Sequence, residues 1–197
     1  MKLAQLGKDK LIKINFEHHY QNMPNIPKGW RECSKHGNQI DGTPFVAFKI
    51  PITGTDWDLN KLMETIPNMD LMISLQSDRE GQFYKQGQVE GHYQVKYIFC
   101  PKVWSEKIPS DESVNIFFNQ VDKILEINSN ALIGVHCVHG VNRTGYMICR
   151  YLIEKRGWNP QEAMDAFEKA RGEKMKKIRK YLNCIQDLEK RKPISPN

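Results

Sequence analysis

Residues 131–145 read ALIGVHCVHGVNRTG, and they carry most of the architectural information in this chain. The run from Ala131 to Cys137 is short and almost continuously apolar, which is typical of a strand covered on both faces. Residues 144–155 return to helical spacing, and Gly157 follows as a stop signal. A buried strand that leads through a short loop into a helix predicts an α/β domain.

Three further runs have the same strand-like character: 45–50 (FVAFKI), 71–75 (LMISL) and 95–100 (VKYIFC). Together with 131–137 they predict a central, mostly parallel sheet. Apolar residues between 114 and 125 fall at helical spacing behind Ser110 and Asp111, which are candidate N-caps. Two more helices are expected, one capped by Asn159 with Pro160 in its first turn, and one striped between 178 and 188. The predicted architecture is a sheet flanked by helices, closed by a C-terminal helical cluster.

Length and composition indicate one folded domain. The chain has 197 residues, of which 40% are hydrophobic and 26% charged. We expect the domain to span 23–190, with a tail at 1–22 and a basic tail at 191–197. No apolar run approaches the roughly 18 residues of a membrane span. Lysines interrupt the first 16 residues, so this stretch lacks the continuous apolar core of a signal peptide.

Net charge and cysteine content indicate the kind of partner and the cellular compartment. The net charge of +6 favours an anionic partner without identifying one. The 5 cysteines include no CxxC pair, which argues against a secreted disulfide framework and against a four-cysteine zinc site. We therefore expect a nuclear or cytoplasmic protein that is not secreted and needs no metal or other cofactor. The basic tail at 190–193 is either a nuclear address or an accidental match.

The loop after the last predicted strand has the form HCx5RT, from His136 to Thr144. A loop that enters a helix N-terminus offers free backbone N–H groups and the positive end of the helix dipole, which together cradle a phosphate. The cradle is built from Val138, His139, Gly140, Val141, Asn142 and Arg143. The same field lowers the pKa of Cys137, and because the thiolate is the reactive form, Cys137 is the candidate nucleophile.

Three neighbours of Cys137 have predicted roles. Arg143 can present a planar fork to two phosphate oxygens, which lysine cannot do. The Thr144 hydroxyl can stabilise the sulfur when it leaves a cysteinyl-phosphate, and His136 is expected to orient the loop. His139 and Asn142 either brace the loop or contact the substrate.

The loop resembles that of the cysteine-dependent protein phosphatases, and HCVHGVNRTG (136–145) resembles specifically their RNA 5′-triphosphatase branch. The branch includes the triphosphatase domain of metazoan capping enzymes, a baculovirus RNA phosphatase and freestanding phosphatases that interact with RNA and ribonucleoprotein complexes. Residues 26–30 (IPKGW), 42–51 (GTPFVAFKIP) and 167–172 (FEKARG) extend the resemblance, which covers roughly 26–188. It implies the cysteine-phosphatase fold and RNA with a 5′-triphosphate or 5′-diphosphate end as substrate. No KxDG nucleotidyl-transfer motif is present, so the freestanding members are the best match.

Two departures from the wider family pattern affect the substrate prediction. Tyrosine and dual-specificity phosphatases carry an Asp general acid about thirty residues before the Cys, whereas residues 100–106 (CPKVWSE) contain none, which leaves Glu106 and Asp111 as weak candidates. The second departure follows Arg171-Gly172, where Glu173 precedes a lysine-rich run. That run is either a solvated helix face or an RNA or triphosphate contact. Its members are Lys174, Lys176, Lys177, Arg179 and Lys180.

The leading functional hypothesis is an RNA 5′-triphosphatase, able in addition to act as a diphosphatase, that works through a cysteinyl-phosphate without a metal. The alternatives are a dual-specificity protein tyrosine/serine phosphatase, a phosphoinositide phosphatase and a non-catalytic RNA-binding relative. The missing Asp argues against the protein phosphatase. The sparse positive charge of the loop argues against the phosphoinositide phosphatase.

Overall fold

The structure is a computed structural model, and it describes residues 25–77, 80, 83–100, 103, 107–175 and 179–187. The two expected tails, at 1–22 and 191–197, and the candidate acid Glu106 lie outside these residues. The domain boundaries therefore stay predictions.

A five-stranded sheet forms the centre of the domain, with the strand order β1-β2-β5-β3-β4. β1 pairs antiparallel with β2, and every other neighbouring pair is parallel. The strands are β1 (His36–Gln39), β2 (Phe45–Lys49), β3 (Met69–Ser74), β4 (Lys96–Phe99) and β5 (Leu132–Cys137). The predicted mostly parallel α/β fold is confirmed, and β5 is its central strand.

Six helices are assigned within the described ranges: α1 (Leu59–Thr65), α2 (Gln86–Gly91), α3 (Asp111–Ile127), α4 (Asn142–Arg156), α5 (Pro160–Arg171) and α6 (Arg179–Asp187). The last four correspond to the predicted helices. Ser110 caps α3 by accepting from the Ser113 N–H, and Asn159 caps α5 by accepting from the N–H groups of its first turn. Gly157 ends α4 in the left-handed conformation that glycine adopts without strain.

Three short elements, β1, α1 and α2, have no counterpart among the sequence predictions. β1 reads HGNQ and buries one of its four residues, so it shows no alternation. α2 reads QGQVEG and buries Val89 alone, which is too little for a helical period. Elements this short are specified by packing on the rest of the domain rather than by their own pattern.

Apolar side chains fill both sides of the sheet. One cluster lies between the sheet and α3–α6, and includes Phe45, Phe117 and Ile133. The other packs the segment 25–35 and α1 against the opposite side, around Trp30 and Trp57. Within the described part of the chain, no helix is long and apolar enough to cross a membrane.

Candidate active site

The loop between β5 and α4 starts at the carboxyl end of the central strand. Cys137, the last residue of β5, is paired in register with Lys49 of β2, and His136 is paired with Ser74 of β3. The chain turns at Gly140, whose φ is +66°, and a Cβ there would lie 2.1 Å from the Phe48 carbonyl oxygen. Only glycine fits this close approach to β2.

The four loop carbonyls are held by donors outside the loop. Those of Val138 and Val141 accept from the N–H groups of Ile50 and Gly145. Those of His139 and Gly140 accept from the Arg171 guanidinium at 3.1 and 3.0 Å. Because C=O and N–H point in opposite directions across a trans peptide, this arrangement directs the N–H groups of 139–142 to the opposite side. No carbonyl among the described residues accepts from those N–H groups, which leaves them open to an acceptor from outside the loop, as an anion-binding loop requires.

Arg171 is fully buried, with 1% of its surface exposed. Besides the loop carbonyls it donates to the Ser34 carbonyl at 2.7 Å. The Glu173 carboxylate in turn accepts from the Ser34 N–H at 2.7 Å. These bonds tie the loop, the start of the described chain and the end of α5 into one unit. Arg171 thus supports the loop carbonyls from the side away from their N–H groups. The sequence predicted no such role for Arg171.

Cys137 is buried, and burial by itself raises the pKa of a thiol. The Arg143 charge, the Thr144 hydroxyl and the N–H groups of Thr144 and Gly140 outweigh this effect, so the pKa of Cys137 is lowered. The other cysteines with a resolved shift move in the opposite direction: burial raises the pKa of Cys33, of Cys149 and of Cys100, the last to about 12. The electrostatic setting thus distinguishes Cys137 from these three thiols.

Two polar atoms beside the loop are buried without a hydrogen-bond partner of ordinary geometry among the described residues: Thr144 Oγ1 and Asn142 Oδ1. The Thr144 hydroxyl nevertheless acts on Cys137, since it lowers the pKa of that thiol. This placement agrees with the role predicted for Thr144 beside the leaving sulfur. Asn142 Oδ1 makes no bracing bond within the loop, which leaves its alternative role as a substrate contact open.

The two histidines of the loop are held differently. His136 is fully buried, its Nε2 shares a hydrogen bond of 2.6 Å with the Tyr84 hydroxyl, and its ring stacks on Phe48. Burial lowers the pKa of His136 to about 3, so the ring is neutral at neutral pH. His139 donates from Nε2 to the Lys28 carbonyl at 2.9 Å and thereby fixes the loop to the segment that contains Lys28. Both histidines therefore hold the loop in place, His136 from the protein interior and His139 through Lys28. Their effect on turnover stays a prediction.

Arg143 is 5% exposed and forms a two-bond ion pair with Glu80. Nη1 donates to Glu80 Oε2 at 2.7 Å, and Nη2 donates to Oε1 at 2.6 Å. Nη1 also donates to the carbonyls of Leu75 and Val103 at 2.9 and 3.2 Å. Burial of the Glu80 carboxyl raises its pKa, but the hydrogen bonds and charge of Arg143 and the bonds from Ser77 outweigh burial and lower it.

A count of donors shows which part of Arg143 faces a substrate. A guanidinium has five N–H groups. The two on Nη1 and one on Nη2 are taken by the acceptors above, and the Nε–H and the second Nη2–H have no acceptor among the described residues. Those two donors share one edge of the planar group, which is the geometry that grips two phosphate oxygens. Glu80 therefore holds one edge of Arg143 and leaves the other edge open to an acceptor such as an oxyanion.

Glu80 was not among the residues predicted from the sequence. The nearest signal is the spacing Ser77-x-x-Glu80, which is typical of a reciprocal turn. In the structure Ser77 N–H does donate to Glu80 Oε2, and Glu80 N–H donates to the Ser77 carbonyl. The spacing predicts a local turn, but it carries no information about a partner 63 residues away.

A cavity of about 450 Å³ opens over the loop. Its lining comes from the loop and α4 (Val138, His139 and Arg143), from Glu80 and Phe83, and from the segment 25–28, where Lys28 is exposed. Lys49 holds the chain that follows this segment by donating to the carbonyls of Trp30 and Cys33 at 2.9 and 3.0 Å. The cavity is larger than one phosphate group requires.

Some predicted residues do not join the loop. The Asp111 carboxylate pairs with Arg150 at 3.2 Å and does not line the cavity. Lys174 is exposed, Lys176 and Lys177 lie outside the described residues, and for Arg179 and Lys180 the structure describes only the backbone of α6. The role of the lysine-rich run stays a prediction. The described residues contain no group of three or more His, Cys, Asp or Glu that could hold a metal ion.

Comparison with known families and sequences gives consistent results. The family model described as "Dual specificity phosphatase, catalytic domain" matches residues 56–191. A Bos taurus protein named RNA/RNP complex-1-interacting phosphatase is 34% identical over 188 residues, which is 88% of this chain and 54% of that protein. The chain thus spans about half the length of this mammalian relative. A protein of Autographa californica nuclear polyhedrosis virus named tyrosine-protein phosphatase is 32% identical and is matched over 98% of its length, by 83% of this chain.

Solved structures agree on the fold. Tk-PTP in its active form has a TM-score of 0.62 and 20% sequence identity, and the match covers 79% of this chain and 97% of that one. At this level of identity the likeness supports the fold alone.

Proposed function

The chain belongs to the dual specificity phosphatase family, and on that premise we propose that it is an RNA 5′-triphosphatase. In this proposal Cys137 takes the γ-phosphate of a 5′-triphosphate RNA, and a second round on the 5′-diphosphate product is open to the same site. The proposal is supported by Glu80, the carboxylate in the cavity, which is ionised at neutral pH. It also agrees with the name of the mammalian relatives, which refers to RNA and ribonucleoprotein.

Glu80 is the one carboxylate among the described residues that line the cavity. Because the pKa of Glu80 is lowered, the group is ionised at neutral pH and has no proton to donate. A phosphotyrosine ester expels a phenolate of pKa about 10, which benefits from a proton donor, whereas a triphosphate expels a diphosphate that is stable as an anion. Among the described residues, then, the cavity has no proton donor of this kind, and this arrangement is better matched to a polyphosphate end than to a phosphotyrosine.

The reaction has two displacements. The Cys137 thiolate attacks the γ-phosphorus, the S–P bond forms, and the bond to the β,γ-bridging oxygen breaks with its electrons staying on the diphosphate end. The N–H groups of the loop and the open edge of Arg143 hold the three equatorial oxygens as charge spreads over them. Water then attacks the same phosphorus, the S–P bond breaks, and inorganic phosphate leaves with the proton of the water passing to phosphate or solvent. The Thr144 hydroxyl stabilises the sulfur as it regains its negative charge.

The cavity offers positions for the phosphates that do not react. Lys28 lines the same cavity as Arg143 and is exposed. An ammonium there would neutralise part of the charge of the α- and β-phosphates. In the proposal, the lysine-rich run at 174–180 extends this positive surface. The logarithm of RNA affinity should then fall with the logarithm of salt concentration with a slope of about −0.7 per phosphate neutralised. Substitutions that remove charge from the run should make this slope less steep.

A second candidate function is protein phosphatase activity, because the viral relative matched over nearly its whole length is named a tyrosine-protein phosphatase. A comparison of kcat/KM among three substrates separates the two candidate functions. We would measure kcat/KM for γ-labelled triphosphate RNA, a phosphotyrosine peptide and a phosphoinositide, with Cys137→Ser as the blank. The proposal requires the highest value for the RNA. A higher value for the peptide would assign the site to proteins, and binding of RNA without any turnover would make the chain a non-catalytic relative.

Location and assembly also belong to the proposal. We infer a nuclear or cytoplasmic protein that meets ribonucleoprotein complexes through its RNA substrate. Fractionation of cells that express the tagged chain, with and without ribonuclease, tests this. Ribonuclease should release the protein from large particles, and retention after digestion would indicate a protein-mediated contact instead.

A further inference from the structure

A second cavity, of about 300 Å³, lies outside the phosphate loop. One side is the segment that leads into α1, with Thr53, Asp58 and Asn60. The other side is the end of α2 and the residues after it, with Gln88 and Tyr93. None of these residues takes part in the steps assigned to Cys137 or Arg143.

The lining has the chemistry of a site for a planar, uncharged ring. Its described lining contains no lysine or arginine, and its histidine, His92, packs its ring edge-to-face with Tyr93 at a centroid distance of 4.6 Å. A phosphate would therefore meet no permanently charged cation there. The carboxylates of Asp58 and Glu64 act on Tyr93 and, after burial, help to raise the pKa of its hydroxyl, which further disfavours an anion. Tyr93 brings an aromatic face, and the Tyr93 hydroxyl donates to Asn60 Oδ1 and fixes the ring. Aromatic side chains held in this way are platforms on which nucleobases stack.

The polar groups of the cavity define which edge would be recognised. Asn60 Oδ1 accepts from Tyr93 and Gln88 Oε1 accepts from the Lys85 N–H, and their NH₂ groups have no acceptor among the described residues. Asp58 Oδ1 accepts from the Lys61 N–H at 2.9 Å, while Oδ2 has no donor within the described ranges. Two amide donors and one carboxylate acceptor match the hydrogen-bonding edge of a nucleobase, which combines acceptors with an N–H donor. Hydrogen bonding at these groups does not separate uracil from the other bases, so a preference would come from stacking, which is stronger for the larger ring of adenine than for uracil.

The two cavities adjoin each other. The N–H and hydroxyl of Thr53, which lines the second cavity, both donate to the Phe83 carbonyl at 3.1 and 3.0 Å. Phe83 itself lines the cavity that holds Arg143. A chain that starts at the phosphate loop and passes Phe83 therefore arrives at Thr53 and then at Tyr93.

We propose that the cavity between Asn60 and Tyr93 is a nucleobase subsite, which binds a base near the 5′ end of the RNA whose terminal phosphate lies at the Cys137 loop. This subsite rests on the proposed function. It makes the length and base composition of the RNA, and not only its triphosphate, part of what the protein recognises.

The test measures γ-phosphate release from 5′-triphosphate oligoadenylates and oligouridylates of one to five nucleotides. For the wild type, the KM should fall about tenfold at the adenylate length that first reaches the subsite, and the step should be smaller in the uridylate series because uracil stacks less strongly. Tyr93→Ala should remove the step with kcat unchanged, whereas Tyr93→Phe keeps the ring and should retain most of it. Phe99→Ala, which removes an exposed aromatic at the end of β4, is the matched control and should keep the step.

Each other outcome has a definite meaning. A KM that is independent of length, or a step that survives Tyr93→Ala, overturns the subsite while the triphosphatase assignment stands. An equal step in both series means that the backbone and not a base is bound, which also overturns it. Absence of turnover for every triphosphate RNA, by an enzyme that still cleaves p-nitrophenyl phosphate, overturns the proposed function and the subsite with it.

Discussion

The segment 137–143, which contains the loop at 138–141, and the segment that carries Glu80 are specified over very different distances along the chain. In 137–143, the proposed nucleophile, the close-approach glycine and the proposed phosphate-binding arginine all fall within seven consecutive residues. In the segment 75–85, the group that matters is Glu80, whose partner lies 63 residues away. The segment 137–143 supplies the proposed reacting groups, whereas the segment 75–85 supplies the orientation of one of them.

This difference separates two kinds of contribution. In the proposed reaction, Cys137 and Arg143 contact the phosphate or its transition state, so loss of either group should stop the reaction or slow it severely. Glu80 touches the far edge of the same guanidinium, so its removal should leave the chemistry possible with Arg143 less well aimed. The variants below test whether the two regions differ in this way.

The largest effect is expected from Cys137→Ser, because the serine hydroxyl is not ionised at neutral pH and cannot form the phosphoenzyme. Turnover should fall to the level of the blank. Filter binding should show that triphosphate RNA is still retained, since the N–H groups of the loop do not depend on the sulfur. Appreciable residual turnover would remove Cys137 from the role of nucleophile.

Arg143→Lys is the next most severe change. It keeps the charge but loses the planar pair of donors, so kcat/KM should fall by about 10² to 10³, the loss typical of one transition-state donor. Steady-state kinetics with triphosphate RNA measure this loss, and thermal unfolding checks that the variant is folded. A nearly normal rate would mean that Arg143 only supports the loop.

Glu80→Gln should cost less, on the order of tenfold in kcat, since one neutral hydrogen bond to Arg143 can remain where two charged ones were. Because Arg143 acts mainly in the transition state, KM should change little. Gln86→Glu, a charge change of opposite sign on exposed α2, is the control for surface charge. If Glu80→Gln matches Arg143→Lys in severity, Glu80 takes part in the chemistry, and if it matches the wild type, Arg143 needs no second support.

The same pair predicts how stability depends on pH. The pKa of Glu80 is lowered in the folded protein, so its ion pair contributes stability above the ordinary glutamate pKa of about 4.3 and loses it as the pH falls through the lowered value. The difference in unfolding free energy between wild type and Glu80→Gln should therefore be largest near neutral pH and shrink in acid. Urea titrations at pH 7 and in strong acid measure it, and a constant difference would contradict the ion pair.

The smallest effect is expected from Asp111→Asn. Asp111 pairs with Arg150 and does not line the cavity, so γ-phosphate release should change far less than the 10² to 10⁴ typical of a lost acid. Glu106→Gln is the companion variant. If either change cuts release by about a hundredfold with the fold intact, that residue is the general acid and the acid-independent reaction is wrong.

The parts of the fold that were predictable have strong local patterns. Four strands and four helices were marked by continuous apolar runs, helical spacing, Ser110, Asn159 and Gly157. β1 and α2 have no counterpart among the predictions because each is too short and too polar to show a period, so that packing on the rest of the domain specifies them. α1 does carry a signal that the predictions omit, since Leu59, Leu62 and Met63 fall at helical spacing behind the N-cap Asp58.

The same division holds in the active site. Cys137, Arg143 and Thr144 are recognisable because the motif places them at fixed spacing on a strand–loop–helix unit. Glu80 and Arg171 are not, since Glu80 meets Arg143 and Arg171 meets the Gly140 carbonyl only after residues 63 and 31 positions apart are brought together. Sequence spacing describes local turns, whereas the support of a loop comes from side chains that reach it across the fold.

The most direct test of the central claim is to trap the phosphoenzyme in a single turnover with RNA labelled at the γ-phosphate, in the presence of EDTA. The account predicts that the label passes transiently to the protein, that the labelled peptide contains Cys137, and that Cys137→Ser acquires none. Release of labelled phosphate without any labelled protein, or loss of the reaction in EDTA, would contradict it.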